Sequence, residues 1–220
     1  LTMNNNSRIE HAFTGVLSNG GGIVQATDAV FYNNQVGANI SLYTAPNGQN
    51  NVSFFRKTAF ITDGLLNDPN VLPNTHFGTI ATQGIRIMGC SFENQTPSLY
   101  ADEDRGTGVL GFAAQFTVDP HCTGFAALNC TPSGQGYQRS TFLNLHTGVI
   151  ATNFTSGLNF RVDQSDFINN SRGVFANNYA LPRITRNHFE VLPSAAPNGT
   201  DDTYGIFLNA CTGYAVEENY

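Results

Sequence analysis

Val162-Asp-Gln-Ser-Asp-Phe167-Ile-Asn-Asn-Ser-Arg-Gly173-Val-Phe175 is one turn of a repeat that runs through the chain. Its aromatic slot, Phe167, is filled elsewhere by Ile9, Phe31, Phe60, Phe92, Phe142 and Phe189. Two residues earlier stand Ser7, Ala29, Thr58, Cys90, Ser140, Ser165 and Asn187, all small or short and polar. Five residues before the aromatic come Ala26, Phe55, Ile87, Tyr137, Val162 and Ile184, mostly apolar. Two residues after it come His11, Asn33, Thr62, Asn94, Asn144, Asn169 and Val191. A glycine closes the unit at Gly15, Gly37, Gly148 and Gly173, and returns after insertions at Gly78, Gly108 and Gly205.

Agreement of these registers predicts an all-β fold, a right-handed parallel β-helix with three sheets. About six full coils are expected, plus partial coils at both ends. Equivalent residues of stacked coils lie about 4.8 Å apart, so like residues form ladders. Asparagine at a corner is expected to adopt a left-handed backbone and to bond the asparagines above and below. The glycine is expected to supply positive φ at the next corner. Helical repeats of similar length are excluded by short β-branched and aromatic strands. The shortest spacing, Gly15 to Gly37, is 22 residues, one bare turn; longer coils carry loops. Insertions are expected at about 42–52, 63–77, 95–107, 113–136 and 191–204 of a single solenoid, residues 1–220. The chain ends one residue before the next aromatic slot, at Asn219-Tyr220, and starts within a coil. It is therefore expected to be part of a longer protein.

Composition agrees with this reading. The chain has 22 Gly, 17 Phe, no Trp and 12% charged residues, with a formal net charge of −6. So much phenylalanine argues against disorder. The acidic balance, with no basic stripe to neutralise phosphates, speaks against a nucleic-acid partner. No apolar run approaches the roughly 20 residues that span a bilayer as a helix.

At the pattern Ile/Val-x-x-Asn-x-Phe-x-Asn-Asn-x-x-Gly-Ile/Val, fullest in Val162–Phe175 and Ile184–Phe189, the sequence resembles the β-helix repeats of the pectin-lyase-like superfamily. It looks most like the Asn- and Phe-rich versions in large secreted surface proteins of gliding and marine bacteria. The resemblance implies the fold and leaves function open, because that superfamily holds polysaccharide lyases, glycoside hydrolases, epimerases, adhesins, tailspikes and stalks. A galacturonan hydrolase of the superfamily would carry Asn-Thr-Asp, Asp-Asp, Gly-His-Gly and Arg-Ile-Lys in that order. Here Asp201-Asp202 falls in an insertion, Arg183-Ile-Thr lacks the lysine and precedes the acidic pair, and Gly-His-Gly is absent.

The remaining chemistry is sparse. Asp163 and Asp166 are three residues apart, with Asp28 several coils away, and Arg139, Arg161, Arg183 and Arg186 fall nearby. A basic strip could bind uronate carboxylates; a mixed-charge surface is the preferred reading. Three insertions carry Asp63 and Asp68, Asp102-Glu-Asp104, and Asp201-Asp202, which could hold Ca²⁺ or simply be solvated. None of the five histidines, His11, His76, His121, His146 and His188, is paired at ligand spacing. Cys122 and Cys130 bracket a loop and are expected to form a disulfide, as secreted loops are stapled. Cys90 is expected to be a buried thiol, and the state of Cys211 is left open. Sequons at Asn39, Asn153 and Asn198 are of the frequency expected in an Asn-rich chain. In the glycine-led strands Val16-Leu17, Val109-Leu110, Val149-Ile150, Val174-Phe175 and Ile206-Phe207 give two successive apolar residues. Either one of each pair faces outward and marks a contact surface, or a bend turns both inward.

No catalytic, cofactor-binding or metal-ligating residue is assigned. The expected function is a non-catalytic module of a secreted or cell-surface bacterial protein, acting in adhesion, in protein or polysaccharide interaction, or as a rigid scaffold. The alternatives are a polysaccharide lyase or glycoside hydrolase, and a secreted cargo or subunit held by a surface or secretion assembly.

Overall fold

A computed structural model describes residues 1–43, 49–66, 71–123, 130–154, 157–192 and 203–220. Three parallel sheets form the solenoid. Sheet A has eight strands, Thr2–Met3, Gln25–Thr27, Phe54–Arg56, Gln83–Met88, Gln115–Asp119, Phe160–Asp163, Arg183–Thr185 and Ala215–Glu217. Sheet B has seven, Arg8–Glu10, Val30–Tyr32, Ala59–Thr62, Ser91–Asn94, Ser140–Leu143, Ser165–Asn170 and His188–Val191. Sheet C has seven, Thr14–Asn19, Val36–Ser41, Thr75–Ile80, Thr107–Phe112, Thr147–Thr152, Arg172–Asn177 and Tyr204–Asn209. Each strand pairs in parallel with its equivalents in the coils before and after it, giving seven full rungs and one further strand of sheet A.

The aromatic slot is a continuous stack inside sheet B. Ring centroids are 4.7 Å apart for Phe31–Phe60, 4.9 Å for Phe60–Phe92 and for Phe92–Phe142, 4.6 Å for Phe142–Phe167 and 4.7 Å for Phe167–Phe189. These separations match the strand spacing, so backbone pairing and ring stacking are satisfied by one geometry. Burial of each ring contributes ~1.5–3 kcal/mol, and the stacking adds to it.

The glycine has a different cause from the one expected. Gly37, Gly108, Gly148 and Gly173 are not among the glycines with positive φ. A Cβ at Gly108, Gly148 or Gly173 would lie 2.6, 2.5 or 2.6 Å from a ring carbon of Phe142, Phe167 or Phe189 in the next coil. The glycine is the space into which the next phenylalanine fits.

Left-handed backbone belongs to the corners. Asp28, Lys57, Gln164, Arg186 and Glu218 take it between sheets A and B. His11, Asn33 and Asn144 take it between B and C, Asn169 at the end of its sheet B strand, and Leu42, Ala81, Ala113 and Ala210 between C and A. Amides of these residues carry the ladder round the bend: those of Asp28, Asn33 and Ala81 donate to the carbonyls of Arg56, Ile61 and Phe112 one coil on. Such a conformation costs about 1–2 kcal/mol in an L-residue other than Gly, Asn or Asp, and the closed ladder offsets it.

Asparagines tie coils together through the backbone, contrary to the expected Asn-on-Asn ladder. Asn34 Nδ2 donates to the Ile9 carbonyl, and its Oδ1 accepts from the Ala12 amide. Asn170 does the same with the Phe142 carbonyl and the Leu145 amide. Direct side-chain bonds occur at Asn187–Asn219 and Asn177–Asn209.

Two register assignments are corrected. Val118, not Tyr137, fills the apolar slot of its coil, pairing with Ile87 and Val162. The strand Gln115–Asp119 thus lies inside the expected 113–136 insertion. In the third coil the residue aligned between Gly37 and Gly108 is His76, because Val36 pairs with Thr75 and Ala38 with Phe77. Gly78 pairs with Asn39 and Leu110 instead. The His76 ring stacks on Phe92 at 6.3 Å, and its Nε2 lies 3.2 Å from Thr62 Oγ1. Burial pushes its pKa down to about 4.

Two outcomes follow from this packing. Gly148→Ala is expected to destabilise the fold by ~1–3 kcal/mol through forced overpacking against Phe167, read as a shift in the denaturation midpoint. His76 is neutral in the fold but binds a proton near pH 6.5 when unfolded, so stability is complete above that pH. It should fall by roughly 3 kcal/mol between pH 6.5 and 4. His76→Asn should remove most of that decline in denaturation curves taken across the interval.

Candidate functional site

Several coil-to-coil ion pairs lie on the outer face of sheet A and at its corner with sheet B. The strand period places Arg86, Thr117, Arg161 and Arg183 in one outward row of sheet A. Asp119 and Asp163 follow Val118 and Val162 on the adjacent row and are almost fully buried.

Arg161, Arg186 and Arg139 are committed to carboxylates of a neighbouring coil, whereas Arg86 and Arg183 make no ion pair among the described residues. Arg161 closes a two-pronged pair on Asp119, with Nε–Oδ1 and Nη2–Oδ2 both 2.7 Å. Burial works against the charge of Arg161, but Asp119 holds its pKa above the usual value. Arg186 makes the corresponding fork on Asp163, whose Oδ1 also accepts from Thr185 Oγ1 at 2.8 Å. Arg139 Nε lies 2.8 Å from Asp166, while its Nη2 donates to the carbonyls of Ser165 and Arg186. Asp28 pairs with Lys57 at 2.8 Å. Each of these pairs joins one coil to the next. The sequence had already favoured a mixed-charge face here. Asp119 was missed because its strand had been read as part of an insertion.

Glycoside hydrolysis needs two carboxylates free to act as acid and base or nucleophile. Both oxygens of Asp119 and of Asp163 are held by guanidinium groups, so neither carboxylate is available. Asp166 is more open: burial raises its pKa, partly countered by Arg139 and His188. His188 lies 4.0 Å from Asp166 and 3.3 Å from Glu190, and its ring stacks on Tyr220. Burial likewise raises the pKa of Tyr137, whose hydroxyl donates to Gln164 Oε1 at 3.2 Å.

Of the acidic loops, only Asp63 and Asp102-Glu-Asp104 are among the described residues. Asp68, Asp201, Asp202 and the Asn198 sequon lie outside the described residues. Asp63 accepts from the Tyr32 hydroxyl at 2.8 Å. Asp102 anchors its loop, accepting from Ser171 Oγ and lying 3.3 Å from His146 Nδ1 and 3.0 Å from Arg105. Ser171 and His146 both address the same carboxylate oxygen, so this is not a nucleophile–base–acid relay, in which histidine stands between the other two. Among the described residues no group of three His, Cys, Asp or Glu side chains forms a metal cluster. His11 takes the left-handed corner position and meets Tyr32 edge-on, a structural role.

Cys122 and Cys130 form the expected disulfide. Cys90 is fully buried, its pKa pushed up to about 12 by burial, and so is an unreactive thiol. Cys211 is a partly exposed free thiol whose Sγ faces the Asn209 carbonyl.

The outer face of sheet C settles the paired apolar residues. Val16, Val109, Val149 and Val174 are buried, whereas Leu17 is 63% exposed and Phe207 46%. Leu110, Ile150 and Phe175 occupy the same outward row. Phe175 and Phe207 stack at 5.7 Å. One residue of each pair therefore faces outward.

An open cleft of about 480 Å³ lies on sheet A, lined by Asn51, Phe54, Arg86, Gln115, Thr117 and Arg161 among others. A register shift between Gln83 and Ile85, with Gly84 at φ +92°, bends the strand beneath it.

Comparison with protein-family models, with curated proteins and with solved structures gave no match to this chain. The class of protein therefore rests on the architecture itself, a right-handed parallel β-helix solenoid with one disulfide. No helix among the described residues is long and apolar enough to cross a membrane.

The buried ion pairs define a measurable contrast. Asp119→Ala, which strands Arg161 without its partner, should cost ~3 kcal/mol or more, while Glu103→Ala on the exposed loop should stay within about 0.5 kcal/mol. Urea denaturation of the two variants checks the difference.

Proposed function

We propose that this chain is a non-catalytic β-helix module of a secreted or cell-surface bacterial protein, a rigid scaffold that engages a polysaccharide or a surface protein partner. The observation that carries the reading is the commitment of Asp119 and Asp163 to arginine forks that join successive coils. Charge on this face ties the solenoid together, and neither Asp119 nor Asp163 is free to serve hydrolysis as acid, base or nucleophile. The disulfide favours an oxidising, extracellular setting. The outward apolar row of sheet C and the cleft on sheet A offer surfaces for partners.

A second reading, a polysaccharide lyase or glycoside hydrolase, is favoured by one cluster: Tyr137, Arg139, Asp166 and His188, where a carboxyl group with raised pKa adjoins an arginine and a histidine.

The two readings part on turnover. Incubation with pectin, alginate and glycosaminoglycans, with and without Ca²⁺, is expected to yield neither new reducing ends nor unsaturated products. Turnover of any of them would sink the non-catalytic reading and make Asp166→Asn the first variant to assay.

A further inference from the structure

One face of this solenoid is almost without charge. Among the seven strands of sheet C, Arg172 is the only Asp, Glu, Lys or Arg. Its guanidinium lies over the Tyr204 ring at 5.7 Å. His76, on the same sheet, is buried and neutral. The other strand charges all fall on sheets A and B, among them Arg56, Asp119 and Asp163 on A and Arg8, Glu93 and Glu190 on B.

In place of charge, sheet C presents apolar side chains. Leu110, Ile150, Phe175 and Phe207 continue one outward row on successive strands, and Leu17 stands in the same row at the far end. Ile80 and Phe112 lie in a second outward row two residues along the strand. Phe154, just beyond the sheet, is 71% exposed and meets Phe112 edge-on at 4.9 Å. The remaining outward positions, such as Asn39, Ser41, Asn177 and Asn209, are polar but neutral. Seven strands at ~4.8 Å, with about five residues of each at ~3.3 Å, span roughly 34 by 16 Å. Full overlap of two such faces would bury about 1,100 Å², which clears the roughly 1,000 Å² that a specific interface needs.

A protein of different sequence is selected largely by charges set against opposite charges, and sheet C has almost none to set. An anionic membrane would repel a chain of net charge −6. A second copy of the chain needs only what this face holds. Its side-chain ladders share one period of ~4.8 Å, and two sheets pack face to face about 10 Å apart. Such a contact is self-complementary, and it buries apolar rows without stranding a carboxylate or an ammonium group. We propose that sheet C is a homodimer interface, closed by packing against sheet C of a second copy. Leu110, Ile150, Phe175 and Phe207 form its apolar centre, and the neutral asparagines and Ser41 lie around them. The inference goes beyond the interaction-module reading and does not depend on it, because turnover and self-association are measured separately.

The test is analytical ultracentrifugation of the purified chain over a concentration series reaching ~1 mM, at low and high salt. The expected result is a reversible monomer–dimer equilibrium, tightened by salt, which screens the repulsion between two chains of net charge −6. Ile150→Asp and Phe175→Asp should each weaken dimerisation at least tenfold, with circular dichroism showing that the variants fold. Val52→Asp, at an exposed apolar residue beside sheet A, should leave it unchanged. Thiol labelling gives a second reading that places no charge on the sheet. In a Cys211→Ser chain, Phe207→Cys should react more slowly at dimerising concentrations, while Val52→Cys keeps one rate. A chain that stays monomeric throughout overturns the proposal. A dimer that both aspartate variants and the Phe207→Cys label leave untouched overturns this surface, and growth past the dimer into open polymers overturns the closed pairing. Uptake of a monomeric chain by neutral phosphatidylcholine vesicles, abolished by Phe175→Asp, overturns the second copy as occupant and gives the face to lipid. Turnover of a polysaccharide overturns the module reading and leaves the dimer standing.

Discussion

Everything in this solenoid depends on one coincidence of lengths: strands hydrogen-bond at the distance at which aromatic rings stack. From Phe31 to Phe189 the phenylalanines repeat at 4.6–4.9 Å, so one translation satisfies backbone and core together. The residue that must yield is the one facing the next ring, and in most coils it is glycine. Where it is His76, the ring stacks on Phe92 and the corner residue is Thr62 rather than asparagine, a paired departure within one coil. The insulated imidazole remains neutral because nothing nearby would stabilise its charge.

This constraint explains how much could be read from sequence. Aromatic, small and corner slots each demand a side-chain size, so Phe92, Cys90 and Asn144 announce the coil without reference to neighbours. Register across insertions is different. Gly78 looked like the closing glycine because it precedes an apolar strand, yet backbone pairing decides the match and selects His76. Tyr137 looked like the apolar slot because it stands five residues before Phe142. An insertion separates that slot, Val118, from its aromatic, which local spacing cannot reveal.

The candidate site was less legible for the same reason. The arginines near Asp163 and Asp166 were visible as a group, but their partners depend on which coil lies next to which. Asp119 is 42 residues from Arg161 in sequence and in contact with it in space. The row of Arg86, Thr117 and Arg161 likewise exists only once the strands are aligned. Sequence suggested a basic strip or a mixed-charge face. The geometry gives both in part, with paired arginines bracing the coils and unpaired ones left outward.

The arginine–carboxylate forks run parallel to the backbone hydrogen bonds, along the axis rather than along the chain. Tension applied between the two ends of such a column would load whole rungs at once, with the forks sharing that load beside the ladders. Tension applied through the polypeptide termini would instead peel strands singly, meeting each fork only when its own coil is reached. The column thus has two mechanical strengths, and the direction of attachment selects between them.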